Sequence, residues 1–363
     1  MATLLLDLDD TLLQNPVDQF VPSYLKLFAA FVSDRMDPKV FSHALLFATD
    51  QMIANQDFSR SLQSTFEESF YPPFESQKEE LAKTMDDFYS SKYPTLRSFT
   101  HPRPEAIALI KDAISNNSNI VVATNPLFPL SVQLQRLSWA DLSLDQYPEI
   151  SFVTSYEYLH FAKPNPAYYA EILALLGWPE DPITMIGDNY AEDILPSSIL
   201  GISSFLIQNQ GLSSPDHLST VPAGTLIEAN QWLKNVKSEL KFESKSSILA
   251  ALMGSAAALD TVLKQSTLSS TIDSQIIENS LLEITKFDRE TMFQLIQTNS
   301  DLIPLSKVEA FFHFRKRIIA KIDQLSDSEF LNTLPLFSKI VAYDQSMIRQ
   351  LFSDLSGFSP KFE

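Results

Sequence analysis

Cysteine is absent from the 363-residue chain, which excludes a disulfide framework, thiolate metal sites and a cysteine nucleophile. Glycine is scarce: seven residues, about 2% against a usual ~7%, which excludes collagen-like and Gly-rich architectures and favours helix. No run approaches the ~20 apolar residues needed to cross a bilayer; the longest candidate, Ser246 to Leu259, is short and carries serines. The N-terminus has no basic segment and its apolar run meets Asp7 at once, so no signal peptide is expected. The chain reads as a soluble cytoplasmic protein with no membrane partner. Positive charge is also short in the first part. Residues 1–230 hold 12 Lys and Arg against 29 Asp and Glu, whereas residues 231–363 hold 15 against 16. A field of that sign repels nucleic acid, so any anionic ligand must be held by local cations. The change of balance also suggests a boundary between two units.

What is present is ordinary for a globular protein, with 45% hydrophobic and 20% charged residues. At roughly 150 residues per domain, the length suggests two or three compact units. Five short apolar runs read as buried parallel strands: Leu4–Leu8, Asn119–Ala123, Ile150–Val153, Ile183–Ile186 and Ser203–Ile207. Helical patterns over Pro104–Ser115 and Pro166–Leu176 lie between them, the second with Asn165 as N-cap. This alternation predicts an α/β fold with a Rossmann-like doubly wound parallel sheet. About 110 residues separate the first two strands, far more than a crossover needs. Helical periodicity over Phe20–Val32, Val40–Ile53, Leu62–Tyr71 and Gln77–Tyr89 makes that stretch an inserted bundle of about four helices. The expected division is an α/β core at 1–15 and 97–232, a helical cap at 16–96, and an additional all-helical C-terminal region at 236–363. A faint repeat lies within the last, Ile284–Ile296 resembling Ile340–Phe352.

The first strand runs into Asp7-Leu8-Asp9-Asp10-Thr11-Leu12. Strand alternation places Asp7 and Asp9 on one face at the carboxyl end, where open α/β sheets bind ligands. Two carboxylates this close repel unless a cation lies between them or one holds a proton. A calcium loop beginning at Asp7 would need Gly at position 12 and Glu at position 18, where Leu12 and Asp18 stand. Three further groups each follow a strand: Thr124-Asn125, Lys163-Pro164, and Gly187-Asp188-Asn189 with Glu192 and Asp193 close behind. In a parallel sheet they converge on one edge, where carboxylates around a metal, a lysine and a hydroxyl beside N–H groups form a phosphate site.

With Asp7-x-Asp9-x-Thr11, Thr124, Lys163 and Gly187-Asp188-x-x-x-x-Asp193 in order, residues 1–230 resemble the haloacid dehalogenase (HAD) superfamily. The helical insertion resembles that family's C1 cap. The resemblance implies a Mg²⁺-dependent phosphatase acting on a small phosphorylated metabolite. Asp7 is then the nucleophile that forms an aspartyl-phosphate, and Asp9 the general acid and base. It further implies that Asp7, the Asp9 carbonyl and Asp188 hold Mg²⁺, with Asp193 orienting water or other ligands around the ion. Lys163 offsets charge, and Thr124 with the Asn125 N–H holds the phosphoryl oxygens. An Asp at position 9 favours phosphoryl transfer over dehalogenation, since a halide needs no proton. A phosphomutase of the same fold is an alternative, as is a regulatory or scaffold protein acting through its C-terminal helices.

Taken singly, Thr124 could end a strand, Lys163 could be a solvated loop residue and Gly187-Asp188 a plain turn; register joins them. Asp10 points to the opposite face and is left out of the chemistry. In the cap, Arg60 is the candidate to reach the substrate. Beyond the resemblance, Phe311–Ile319 combines apolar residues with a basic cluster. It reads as a bundle helix with a solvated face, or as a contact for an acidic protein partner or a second copy.

Overall fold

The structure is a computed structural model that describes residues 2–179, 181–208, 221–241 and 244–265. The repeat at 284–352 and the basic cluster at 311–319 lie outside the described residues.

The described chain groups into two compact units. The first, residues 1–165 and 181–240, holds one all-parallel sheet of order β5-β4-β1-β6-β7-β8. Its strands are β1 (Thr3–Leu6), β4 (Asn119–Val122), β5 (Ile150–Val153), β6 (Ile183–Gly187), β7 (Ser203–Ile207) and β8 (Ala223–Gly224). β1 lies at the centre, Leu6 pairing with Val122 on one side and Ile186 on the other. Leu4, Leu5, Leu6, Val121, Val122 and Ile186 are buried, as unalternated strands covered on both faces require. The helices of the sheet layer in this unit are α5 (Pro104–Ser115), α6 (Leu130–Trp139), α8 (Leu195–Ile199) and α9 (Leu226–Trp232).

The insertion is four helices: α1 (Val17–Val32), α2 (Pro38–Ala54), α3 (Leu62–Phe70) and α4 (Lys78–Ser91). Local chemistry starts two of them. Asp37 accepts from the Lys39 N–H at 2.8 Å with Pro38 in the first turn, and Ser61 accepts from the Ser64 N–H at 3.1 Å. Spacing of i, i+4, i+8 and i+12 puts Phe20, Tyr24, Phe28 and Val32 on one buried face of α1. Phe28 stacks on Phe88 at 3.7 Å and meets Phe41 edge-on. Each such buried ring contributes about 2 kcal/mol. The chain leaves and re-enters the core through β2 (Leu13–Gln14) and β3 (His101–Pro102), an antiparallel pair at the neck of the insertion.

The second unit takes residues 166–180 and 241–363. In it α7 (Pro166–Leu175) packs along α10 (Lys245–Gln265). The helix expected to belong wholly to the sheet layer therefore groups with the C-terminal region. Its composition is consistent with this, since every residue from Ala167 to Leu175 is buried and the helix has no polar face. The contact is close: a Cβ at Gly254 would run into the backbone of Ala170 and Glu171.

Candidate active site

Asp7 is the first residue past β1, and its N–H donates to the Ile186 carbonyl at 2.9 Å. The strand stops at Leu6, two residues short of the expected run Leu4–Leu8, so Asp7 and Asp9 lie past its end and not on a strand face. Lys163 reaches Asp7 from the loop after β5. Its Nζ donates to Asp7 Oδ1 at 2.7 Å and to Asp193 Oδ1 at 2.6 Å, and the lysine is 2% exposed. A buried ammonium needs such pairing to remain charged.

Asp188, directly after β6, completes a group of three. Carboxylate oxygens of Asp7, Asp188 and Asp193 lie within 4.8 Å of one another. Burial, then the charges of Asp7 and Asp193, push the Asp188 carboxyl up to about 8. Burial also pushes Asp193 up to about 6, although Lys163 works against it. The second Asp193 oxygen accepts from the Asn189 N–H at 3.0 Å. Gly187 permits this geometry, because a Cβ there would overlap the Asp193 carboxylate. These three carboxylates are hard oxygen donors whose mutual repulsion a divalent cation relieves, so the set fits a Mg²⁺ ion.

The loops after β4, β5 and β6 are stitched together around Asp7. The Thr124 carbonyl accepts the Thr154 hydroxyl at 2.6 Å. The Asn125 side chain accepts the Lys163 N–H at 3.3 Å and donates to Glu192 at 3.4 Å. Thr124 is itself buried, as is Thr11, whose hydroxyl has no hydrogen-bond partner.

The Asp9 side chain does not join the acidic group. Its Oδ1 accepts from Asn15 Nδ2 at 2.7 Å, and its Oδ2 is bound by Arg136 Nη2. Arg136 lies on α6 and is 3% exposed, with its guanidinium over the rings of Phe128 and Phe20. Its Nη1 donates to Gln133 at 3.1 Å, and Gln133 in turn donates to the Asn125 carbonyl at 3.2 Å. Burial lowers Arg136 to about 10. Sequence reasoning missed this residue. A signal was available, since Arg136 is the single Lys or Arg between Lys111 and Lys163 and stands one helical turn after Gln133.

Asp10 adopts a positive φ of 51°, accepts the Asn15 N–H at 3.0 Å and has Arg103 within 4.0 Å, so it serves the turn. Arg60 is not brought to this site. Its half-exposed guanidinium pairs with Glu68 of the same insertion at 3.0 Å, the nearer anion in a strongly acidic cap.

Among the described residues, no helix is long and apolar enough to cross a membrane. The chain is 35% identical over 72 residues to haloacid dehalogenase-like hydrolase domain-containing protein 3 of Danio rerio. That match covers 20% of this chain and spans only 29% of the relative's length. Among solved structures it is similar to a HAD phosphatase from Thermococcus onnurineus, with 15% identity and a TM-score of 0.41, covering 64% of this chain and 98% of that one. It is also similar to a 2-haloacid dehalogenase from Pseudomonas syringae, with 18% identity and a TM-score of 0.44, covering 64% and 99%. The family model of the haloacid dehalogenase-like hydrolases matches residues 1–196, more than half of the chain and all four loops that meet at Asp7. The chain belongs to the haloacid dehalogenase-like hydrolases.

Proposed function

We propose that the chain is a Mg²⁺-dependent phosphatase that hydrolyses a small phosphorylated metabolite through an aspartyl-phosphate on Asp7. The observation that carries the reading is a buried carboxylate at the head of the central strand, paired with Lys163 and crowded by Asp188 and Asp193. In this reading the core at 1–15 and 97–232 carries the chemistry, and the insertion at 16–96 covers it.

Asp7 Oδ attacks phosphorus as the bond to the leaving oxygen breaks, and the departing alkoxide takes a proton from Asp9. Water then attacks the aspartyl-phosphate, gives its proton to Asp9 and frees Asp7 and inorganic phosphate. The Thr124 hydroxyl and the Asn125 N–H hold the equatorial oxygens, and Lys163 offsets the charge gathered on Asp7 and the phosphoryl group. Asp7, the Asp9 carbonyl and Asp188 would hold Mg²⁺, which supplies positive charge beside the phosphoryl oxygens when bound. Both Asp193 oxygens are engaged by Lys163 and Asn189, which suits a residue that positions others.

The test is turnover of p-nitrophenyl phosphate with and without chelator, in wild type and Asp7→Asn. Turnover is expected to require Mg²⁺, to release inorganic phosphate and to vanish in Asp7→Asn. Activity that survives the substitution refutes the nucleophile, and transfer to a second alcohol in place of phosphate release identifies a mutase.

A further inference from the structure

Residues of the insertion and of the loops after β4 and β5 line a cavity of about 320 Å³, within the range of small-molecule pockets. Six aromatic residues face it: Tyr24, Phe66, Tyr71, Tyr89, Phe128 and Tyr156. It lies near the acidic loop, for its wall includes Phe128, over whose ring sits the Arg136 guanidinium that holds Asp9. Its wall begins at Leu127, two residues past Asn125, and includes Tyr156, two residues past Thr154, whose hydroxyl holds the Thr124 carbonyl. A body attached to a phosphoryl group at Thr124 and Asn125 thus has this cavity beside it.

Several polar groups of the wall are satisfied within the protein. The Tyr24 and Tyr89 hydroxyls bond each other at 3.0 Å, Thr49 donates to the Leu45 carbonyl at 2.9 Å, and Gln63 donates to Glu67 at 2.9 Å. These groups offer little to a ligand rich in hydroxyls, which would lose its water on entering. The charges are of one sign. Glu67 and Asp86 face the cavity, and among the described lining residues there is no Lys, Arg or His. Lys78 lies over the Tyr71 ring at 5.0 Å and is engaged by Glu67 at 3.9 Å. Burial, then Glu67 and Asp86, push the Tyr71 hydroxyl up to about 12, as a negative field does. The rim is apolar, with Val21 41% and Leu46 48% exposed. Aromatic faces with carboxylates among them accept neutral or cationic bodies and repel anionic ones.

We infer that this cavity binds the alcohol part of the substrate, and that the alcohol is apolar and carries no negative charge. The inference rests on the phosphatase reading above and sharpens it. Esters of hydroxy acids are excluded from efficient turnover, and esters of aromatic or branched aliphatic alcohols are favoured.

The full chain is assayed with Mg²⁺ against 2-phenylethyl phosphate and phosphoglycolate, and 2-naphthol, which carries no phosphate, reports cavity binding by fluorescence. kcat/KM for the apolar ester is expected to exceed that for phosphoglycolate by about 10- to 100-fold. Ala82→Trp, which fills the cavity from α4, is expected to abolish naphthol binding and raise KM for the apolar ester about tenfold. Asp86→Lys, at an exposed position, is expected to narrow the gap by speeding phosphoglycolate turnover. A wild type that prefers phosphoglycolate or fails to bind naphthol, or naphthol binding that Ala82→Trp leaves intact, overturns the inference while the phosphatase reading stands. Failure to hydrolyse either ester, with naphthol bound and lost in Ala82→Trp, overturns the phosphatase reading and keeps the cavity assignment.

Discussion

Asp188→Asn should make the metal-free protein more stable and destroy its response to Mg²⁺. Burial and the charges of Asp7 and Asp193 raise the Asp188 carboxyl to about 8, so the folded state holds that proton more tightly than the unfolded chain does. Such a group costs the folded state about 1.4 kcal/mol for every pH step climbed between the unfolded and the folded value. Stability is therefore full below pH ~4 and falls as pH rises toward about 8. The whole interval sums to ~6 kcal/mol, which partial solvent access at Asp188 reduces to ~2–3 kcal/mol. Removing the charge returns that amount at pH 8, a rise in Tm of about 5–10 °C for a unit of this size. At pH 5 the gain shrinks to ~1 kcal/mol, because the pH has climbed only about one step above the unfolded value, at which the cost begins. The assay is thermal melting of both proteins in EDTA and in Mg²⁺ at pH 5 and pH 8. Mg²⁺ should raise the Tm of wild type at pH 8 and leave Asp188→Asn unmoved. An Asn variant that melts at or below wild type in EDTA at pH 8, or that gains as much from Mg²⁺, refutes the reasoning.

Lys163→Met leaves the Asp7 and Asp193 carboxylates without their ammonium, and unpairing a buried charge costs about 3–5 kcal/mol. Denaturant melts in EDTA should show that loss, with Mg²⁺ restoring part of the stability but no turnover. Asp9→Asn should slow turnover and let phosphoenzyme accumulate with a good leaving group, seen as acid-stable label retained on the protein after a pulse of radiolabelled substrate. In the second unit, Gly254→Leu forces a side chain into the Ala170 and Glu171 backbone, at a cost of about 1–3 kcal/mol. Amide exchange across 166–175 and 245–265 should rise; unchanged protection there would show that the two helices do not depend on each other.

The parts of the fold legible in the sequence are those where one residue's neighbours along the chain carry the signal. Ile150–Val153 and Ser203–Ile207 match their apolar runs end to end, because a parallel strand covered on both faces has no polar alternation to blur it. The four helices of the insertion follow from one buried face each. The two-residue strands Leu13–Gln14, His101–Pro102 and Ala223–Gly224 are too short to show a period, so they emerge only from pairing across distant sequence. The partner of α7 was hidden for a related reason. A helix buried on every side announces burial without saying against what, and α10 lies 70 residues further along the chain. In the site, Asp7, Lys163 and Asp188 were legible through their place after successive strands. Arg136 was not, because its contact with Asp9 spans 127 residues and no strand end marks it.

That contact bears on how Asp9 would serve both halves of the proposed reaction. Two donors, Asn15 Nδ2 and a buried guanidinium, stabilise the ionised carboxylate, which is the form that accepts a proton from attacking water. Protonating the leaving group needs the opposite form, and the ion pair opposes it. Lower charge on the arginine is no remedy, since a guanidinium at about 10 is still protonated near neutrality. The proton can rest on Asp9 only when the Arg136 contact is lengthened, and the geometry of that arginine is set by its neighbours. Gln133 holds Nη1 and is itself fastened to the Asn125 carbonyl, while Phe20 of the insertion and Phe128 of the core loop flank the guanidinium. The insertion, through Phe20, and the loop after β4, through Asn125, therefore meet on the arginine that favours the ionised form of Asp9.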